Sequence, residues 1–155
     1  IQVEALRALR SQLLLRWFTG EPGRRGLAVT GVQRQDGSSH LAANLAVVFS
    51  QMGERTLLVD ADLRHGKQHT LFGIKNSAGL SSLLAERVEL SCIQRVAGFV
   101  DLSVLPCGPT PPNPLELLGR ASFGTVFEQI ANQFDVIIVD TPAASMGSDF
   151  LLIAQ

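Results

Sequence analysis

Apolar positions along the chain alternate between helical spacing and short unbroken runs. Residues 4–18, EALRALRSQLLLRWF, set Leu6, Leu9, Leu13 and Trp17 at helical intervals with Arg7, Arg10 and Arg16 mostly off that stripe, which predicts an amphipathic first helix. Gly and Pro in TGEPGRRG (19–26) break it, and LAVT (27–30) follows as a buried strand. From Ser39 to Met52, Leu41, Ala42, Leu45, Ala46, Val48 and Phe49 form a long apolar face closed by Gly53, the pattern of a helix packed on a sheet. RTLLVDAD (55–62), DLSVLPCG (101–108) and FDVIIVDTP (134–142) read as three more buried strands. PCGPTPPNP (106–114) reads as a rigid loop delivering a helix at Leu115–Leu118, with Asn113 as its cap and Pro114 in its first turn. SDFLLIAQ (148–155) reads as one further helix. Strands alternating with helices predict an α/β fold of three layers, a mostly parallel sheet flanked by helices.

At 155 residues the chain suits a single domain with a sizeable core, and 1–155 is expected to be one such domain. It begins at Ile1 rather than Met, so a longer parent chain, truncated here at both ends, is expected. The formal net charge of −1 gives no reason to expect nucleic acid or an anionic membrane as the main partner. Cys92 and Cys107 form no C-x-x-C pair, which fits structural cysteines in a reducing compartment. No apolar run reaches the roughly 18 residues that span a bilayer.

Ligands of open parallel sheets bind beyond the carboxyl ends of the strands, and the unusual polar residues fall there. TGVQRQDGSSHLAANLA (30–46) follows the first strand, Asp60 and Asp62 end the second, and Asp140 with Thr141 and Pro142 ends the fourth. A helix N-terminus offers N–H groups to phosphate, and carboxylates with a hydroxyl hold Mg²⁺. Gly37 and Ser39 stand at the turn and hydroxyl positions of the pattern G-x-x-x-x-G-K-[ST], but Ser38 replaces its Lys and Val32 its first Gly. Taken alone the loop fits two readings: a phosphate site, or an ordinary helix capped by Ser38 or Ser39. Two strands ending in Asp, one of them D-A-D-L-R, in the right order with the loop, favour the first.

With these motifs the sequence resembles the bacterial tyrosine kinases of exopolysaccharide synthesis, especially the chain-length-determinant branch. The resemblance rests on EALRALR with Glu4, Arg7 and Arg10, on LLVDADLR (57–64), similar to that family's Walker A′ motif, on PPNPLELLG (111–119), and on the Walker B-like VIIVDTP (136–142). It implies a deviant P-loop nucleoside triphosphatase fold and a cytoplasmic domain, associated with the inner membrane through a partner or a further segment. It also implies transfer of the γ-phosphoryl of Mg-ATP to tyrosines in a neighbour's tail. By position, Ser39 and Asp62 would ligate Mg²⁺, Asp140 would act through a metal-bound water, and Asp60 would assist the metal or accept the tyrosine proton. Backbone N–H groups of Gly37, Ser38, Ser39 and His40 would cradle phosphate. The resemblance further implies ATP and ADP as ligands, a membrane polysaccharide copolymerase as partner, fused or separate, and a homo-oligomer formed through Glu4, Arg7 and Arg10.

Several residues depart from the family pattern or carry two readings. Ser38 has no charge to set against the outer phosphates, so either catalysis is weakened or the domain is a catalytically inactive regulatory and assembly module of the same machinery. Arg34 is the candidate substitute cation. Residues 1–155 contain no Tyr and so hold no phosphoacceptor of their own; the family's tyrosine-rich tail, if present, is expected beyond Gln155. His65 and His69 have i, i+4 spacing but Gly66 between them and no evident third metal ligand. Arg64, directly after the acidic pair, belongs either to the site's charge network or to the subunit contact.

Overall fold

The computed structural model describes residues 2–20, 23–120 and 122–146. Five strands, β1 (Gly26–Val29), β2 (Thr56–Asp60), β3 (Gln94–Arg95), β4 (Leu102–Leu105) and β5 (Val136–Asp140), make one sheet in the order β1-β5-β2-β4-β3. All neighbours are parallel except the β3–β4 edge pair. The four apolar runs of the sequence are therefore the parallel strands. The two-residue β3 had no sequence signal, being too short to show alternation. The strands are shorter than the apolar runs because Asp62, Pro106 and Thr141 have already left the ladder.

Period-2 geometry sends alternate residues of each strand to opposite faces. On one face Leu58, Val104, Val136 and Ile138 meet Ala42, Ala43, Ala46 and Phe49 of α2 (Ser38–Ser50). On the other, Leu57, Val59, Leu105, Ile137 and Val139 meet helices α4 (Leu80–Leu84), α5 (Pro114–Leu118) and α6 (Ser122–Ala131). These are the three expected layers. The small residues of α2 let it lie close over β5 and β2, and α1 (Val3–Leu13) packs outside it through Leu6 against Leu45 and Val48. The amphipathic first segment does not stay α-helical to residue 18: Leu14–Phe18 widen into a π-helical turn, which a helical stripe alone does not reveal. Phe18 sets its ring edge-on to Phe49 at 5.4 Å.

Of the three residues expected to join subunits, Glu4 and Arg7 form an exposed ion pair at 3.2 Å, whereas the Arg10 guanidinium donates to the Val48 carbonyl at 2.9 Å and ties α1 to α2. Asn113 precedes α5 as expected, with Pro114 first in the helix, but its side chain donates to Glu116 at 2.9 Å rather than accepting an N–H. The helix expected over 148–155 lies outside the described residues. Phe49 is wholly buried between α1, α2 and the sheet, so Phe49→Ala is expected to cost about 3–5 kcal/mol in urea unfolding. Val100→Ala, at a side chain 79% exposed, should change stability by less than about 0.5 kcal/mol.

Candidate functional site

Asp60 and Asp140 close adjacent strands and are partners in register. Both carboxylates are buried, with 0% and 1% exposure, a costly arrangement unless N–H groups meet them. Asp60 accepts the Asp62 N–H on Oδ1 (3.2 Å) and those of Lys67 (2.9 Å) and Gln68 (3.0 Å) on Oδ2. The chain from 61 to 68 is thus folded around this one carboxylate. Burial, and then the neighbouring Asp140 charge, push its pKa up to about 7 in spite of these bonds. Asp140 accepts Gln68 Nε2 on Oδ2 at 2.9 Å, and the same amide donates to the Ser39 carbonyl at 2.9 Å. Burial also raises the Asp140 pKa, opposed by its bonds to Gln68 and Ser39. Its Oδ1 is buried with no hydrogen-bond partner. Asp62, half-buried above them, accepts the N–H groups of Arg64 (3.2 Å) and His65 (2.9 Å).

The loop after β1 reaches the same edge. Thr141 N–H donates to Val29 O (3.0 Å), Ala61 N–H to Asp140 O (2.8 Å) and Ala144 N–H to Gly31 O (2.9 Å), so the ends of β1, β5 and β2 form one floor. Two loop residues are left-handed, Gln35 at φ 65° and Gly37 at φ 92°. Gly adopts that conformation without penalty; Gln35 does so as a non-glycine residue, which is uncommon. Helix α2 starts directly after Gly37, which has no side chain to cap it, and its first i−4 bond runs from Leu41 N–H to Gly37 O at 3.0 Å. The N–H groups of Ser38, Ser39 and His40 lie before that bond. Asp36 turns its carboxylate into the loop and accepts from Val32 (2.7 Å), Gln33 (3.3 Å) and Ser38 (3.3 Å). These bonds, that of Gln33 first, hold its pKa below the usual carboxylate value. A Cβ at Gly31 would stand 2.3 Å from the Asp36 carboxylate, so the inward turn of Asp36 requires glycine there. The chain places its own anion among N–H groups of the kind that bind phosphate.

A cleft of about 30 Å³ lies between this loop and the Asp60-anchored segment, lined by Arg34, Ser38, Ser39, Asp62, Arg64 and Lys67 among others. A second cavity of about 230 Å³ is lined by Gly37, Ser38, Ser39, His40 and Lys67 with Gln35. The predicted residues Arg34, Gly37, Ser38, Ser39, His40 and Asp62 therefore line two adjoining spaces, whereas Asp60 and Asp140 line neither and stay buried at the strand ends. The donor set suits Mg²⁺, a hard cation that takes oxygen ligands: the Ser39 hydroxyl, the Asp62 carboxylate and the unpartnered Asp140 Oδ1. Sequence reasoning missed Asp36, Lys67 and Gln68. Asp36 adjoins the turn glycine and carried a signal that could have been used; Gln68 and Lys67 become visible only once Asp60 is seen to gather their N–H groups.

His65 and His69 do not pair. His65 is exposed and lines the cleft, while His69 sits in α3 (Gln68–Phe72) with ligand atoms of His69, Asp60 and Cys107 within 4.8 Å of one another. The two ligand-type groups beside His69, which the sequence did not reveal, are thus a carboxylate and a thiol from two different strand ends. Asp60 is already committed to three N–H groups, and the Cys107 thiol donates to Gly108 O at 3.4 Å. Burial, then the Asp60 charge, push the thiol up to about 11, in keeping with an unreactive cysteine.

No protein-family model matches the chain. The provisionally named tyrosine-protein kinase CapB of Staphylococcus aureus is 35% identical over 152 residues, 98% of this chain and 66% of CapB. The kinase domain of the Escherichia coli tyrosine kinase ETK superposes with a TM-score of 0.90 at 38% identity, over 97% of this chain and 58% of that one. This chain belongs to the bacterial tyrosine-kinase family. It spans about two thirds of CapB and 21% of the longer relatives from Salmonella typhi and E. coli. The cell-division ATPase MinD of Pyrococcus furiosus, at 23% identity and TM-score 0.70 over 83% of this chain and 54% of its own, shares the P-loop fold.

In this kinase-family domain the raised pKa of Asp60 has a definite sign. The folded state holds the proton more tightly than the unfolded chain, so the contribution to stability is present below about pH 4 and is lost as pH rises through about 7. In metal-free buffer the thermal midpoint is expected to fall across that window, and Asp60→Asn should flatten the fall. A variant that follows the parent at every pH would show that Asp60 does not titrate there.

Proposed function

We propose that the chain is the nucleotide-binding, phosphoryl-transfer domain of a cytoplasmic tyrosine autokinase acting with a membrane polysaccharide copolymerase, fused or separate, in exopolysaccharide synthesis and chain-length control. Its nucleotide binding or turnover is weakened by Ser38. The observation that carries this reading is the meeting of three carboxylates at one sheet edge with the N-terminus of α2, where Gly37 supplies no side-chain cap. When bound, Mg-ATP supplies the phosphoryl group and a divalent cation that offsets the negative charge spread over its oxygens. Ser39 and Asp62 would hold the metal, and Asp140, through its unpartnered Oδ1, a water upon it. The N–H groups at the start of α2 would receive phosphate, displacing Asp36 from Ser38. Asp60, fully buried and already accepting three N–H bonds, fits the role of holding Asp62 and the 61–68 segment in place better than that of accepting a tyrosine proton.

Ser38 brings no cation to the outer phosphates. By analogy with loss of one oxyanion donor, this removes roughly 2.7–4 kcal/mol of transition-state stabilisation. The Asp36 bonds favour a second reading, a domain that keeps the shape of the site and serves assembly or regulation instead. Calorimetric titration with Mg-ADP and a non-hydrolysable ATP analogue separates the two, with Ser38→Lys alongside. Micromolar binding by the parent is the expected result; binding only after Ser38→Lys would favour the assembly module.

Subunit contact through the first helix falls on Glu4 and Arg7, since Arg10 is spent on Val48. Arg7→Glu is expected to lower the oligomeric state read by light scattering without unfolding the domain. An unchanged mass would remove this contact from the proposal.

A further inference from the structure

We propose that Lys67, from the loop between β2 and α3, supplies the cation that the loop after β1 lacks, and that its ammonium binds the outer phosphates of a magnesium-bound nucleoside triphosphate. The proposal rests on the nucleotide reading above and adds to it the group that compensates for Ser38.

Three cationic side chains, Arg34, Arg64 and Lys67, line the 30 Å³ cleft, and of these Lys67 alone also lines the 230 Å³ cavity that shares Ser38 and Ser39 with it. It therefore stands beside the position where the usual lysine would rise from α2, but it comes from a different strand end. Its base is fixed. The Lys67 N–H donates to Asp60 Oδ2 at 2.9 Å, and its carbonyl accepts from Thr70 (3.1 Å) and Leu71 (3.0 Å) at the start of α3. The next residue, Gln68, is bonded both to the Ser39 carbonyl and to Asp140. One continuous path of hydrogen bonds thus sets the Lys67 backbone against the start of α2.

Electrostatics points to an anion at this place. Lys67 is half-buried and forms no ion pair among the described residues, and it faces the start of α2, where a helix carries partial positive charge. Its charge also reaches Asp140, so the ammonium lies near the proposed metal ligands as well as the N–H groups. Asp62 in the cleft and Asp36 on the Ser38 N–H meet part of this positive charge in the empty site, and a phosphate displacing Asp36 would bring its own negative charge beside Lys67. Arg34 fits the role less well because it is exposed and lines the cleft but not the larger cavity, and Arg64 is already engaged. An ammonium on a four-carbon stem can reach phosphate as a point charge without the fixed fork that arginine requires.

The test is titration of the chain, in the presence of Mg²⁺, with ADP and with a non-hydrolysable ATP analogue. It compares the parent with Lys67→Ala, Lys67→Arg, Arg34→Ala, Ser38→Lys and the double variant Lys67→Ala/Ser38→Lys, each checked for native circular dichroism. Lys67→Ala removes only side-chain atoms, so the N–H bond to Asp60 remains. The expected result is loss of analogue affinity by about tenfold or more in Lys67→Ala, equivalent to about 1.4 kcal/mol per tenfold. The loss for ADP should be smaller, with partial retention in Lys67→Arg and recovery in the double variant. Recovery by a lysine on another element is something a merely structural role for Lys67 would not give. Parent-like affinity in Lys67→Ala, or a loss carried by Arg34→Ala instead, overturns the role of Lys67 and leaves the nucleotide site standing. No binding by either the parent or Ser38→Lys overturns the nucleotide site and Lys67 with it.

Discussion

The carboxylate of Asp60 is the constraint on which the rest of this edge depends. It sits at the end of a central strand, fully buried and level with Asp140 on the next strand. Two adjacent buried acids repel and lose their hydration, and the fold offsets this with backbone N–H groups from residues 62, 67 and 68. Those three bonds give the segment after β2 its path. They lift Asp62 over the pair, bring Gln68 under the start of α2 and leave Lys67 at the rim of both cavities. A sequence of unremarkable loop residues becomes a defined wall because one acid had to be satisfied.

The layer architecture was legible because parallel strands buried on both faces are predominantly apolar, as TLLVD, LSVL and VIIVD are; LAVT carries the same pattern, yet β1 ends the sheet among the described residues, with Ala28 exposed rather than buried as expected. The acids that end two of them were legible for the same reason, as polar residues stopping an apolar run where ligands bind. What escaped was local geometry without periodicity. The β3 edge pairs only two residues, and the π-turn at 14–18 keeps the apolar spacing of a helix while widening its hydrogen bonds. The approach of His69 to Cys107 depends on which strand ends lie side by side, which spacing along the chain does not encode. Gly66 marks it only in retrospect, since a Cβ there would lie 2.4 Å from the Cys107 sulfur.

The loop after β1 shows how a familiar pattern can lose members and keep its shape. Gln35 and Gly37 both adopt left-handed backbone, so the turn is made although glycine is present at one of the two. Ser39 and the N–H groups of α2 remain in place. The bonds of Asp36 to Val32, Gln33 and Ser38 then have two consequences. They stabilise the loop in the absence of ligand, and they set a competitor that any phosphate must outbid at Ser38. A site with strong external cations overcomes such a competitor easily; one without them depends on whatever positive charge stands nearby.

That dependence decides how the missing lysine should be understood. In water a single displaced charge is worth little, but in a cleft beside two buried acids the effective dielectric is lower and position matters more. The buried acids and the N–H groups of α2 have opposite needs, one for a cation and the other for an anion. A metal-bound phosphate meets both at once, whereas neither a bare metal nor a bare anion does. Lys67 lies where the balance between these needs is struck, on the same short segment that Asp60 holds. On the proposed reading, the uncharged Ser38 and the anchored segment after β2 are one problem, since a lysine arriving from the side is useful only if its backbone is held. The three bonds on Asp60 provide that restraint.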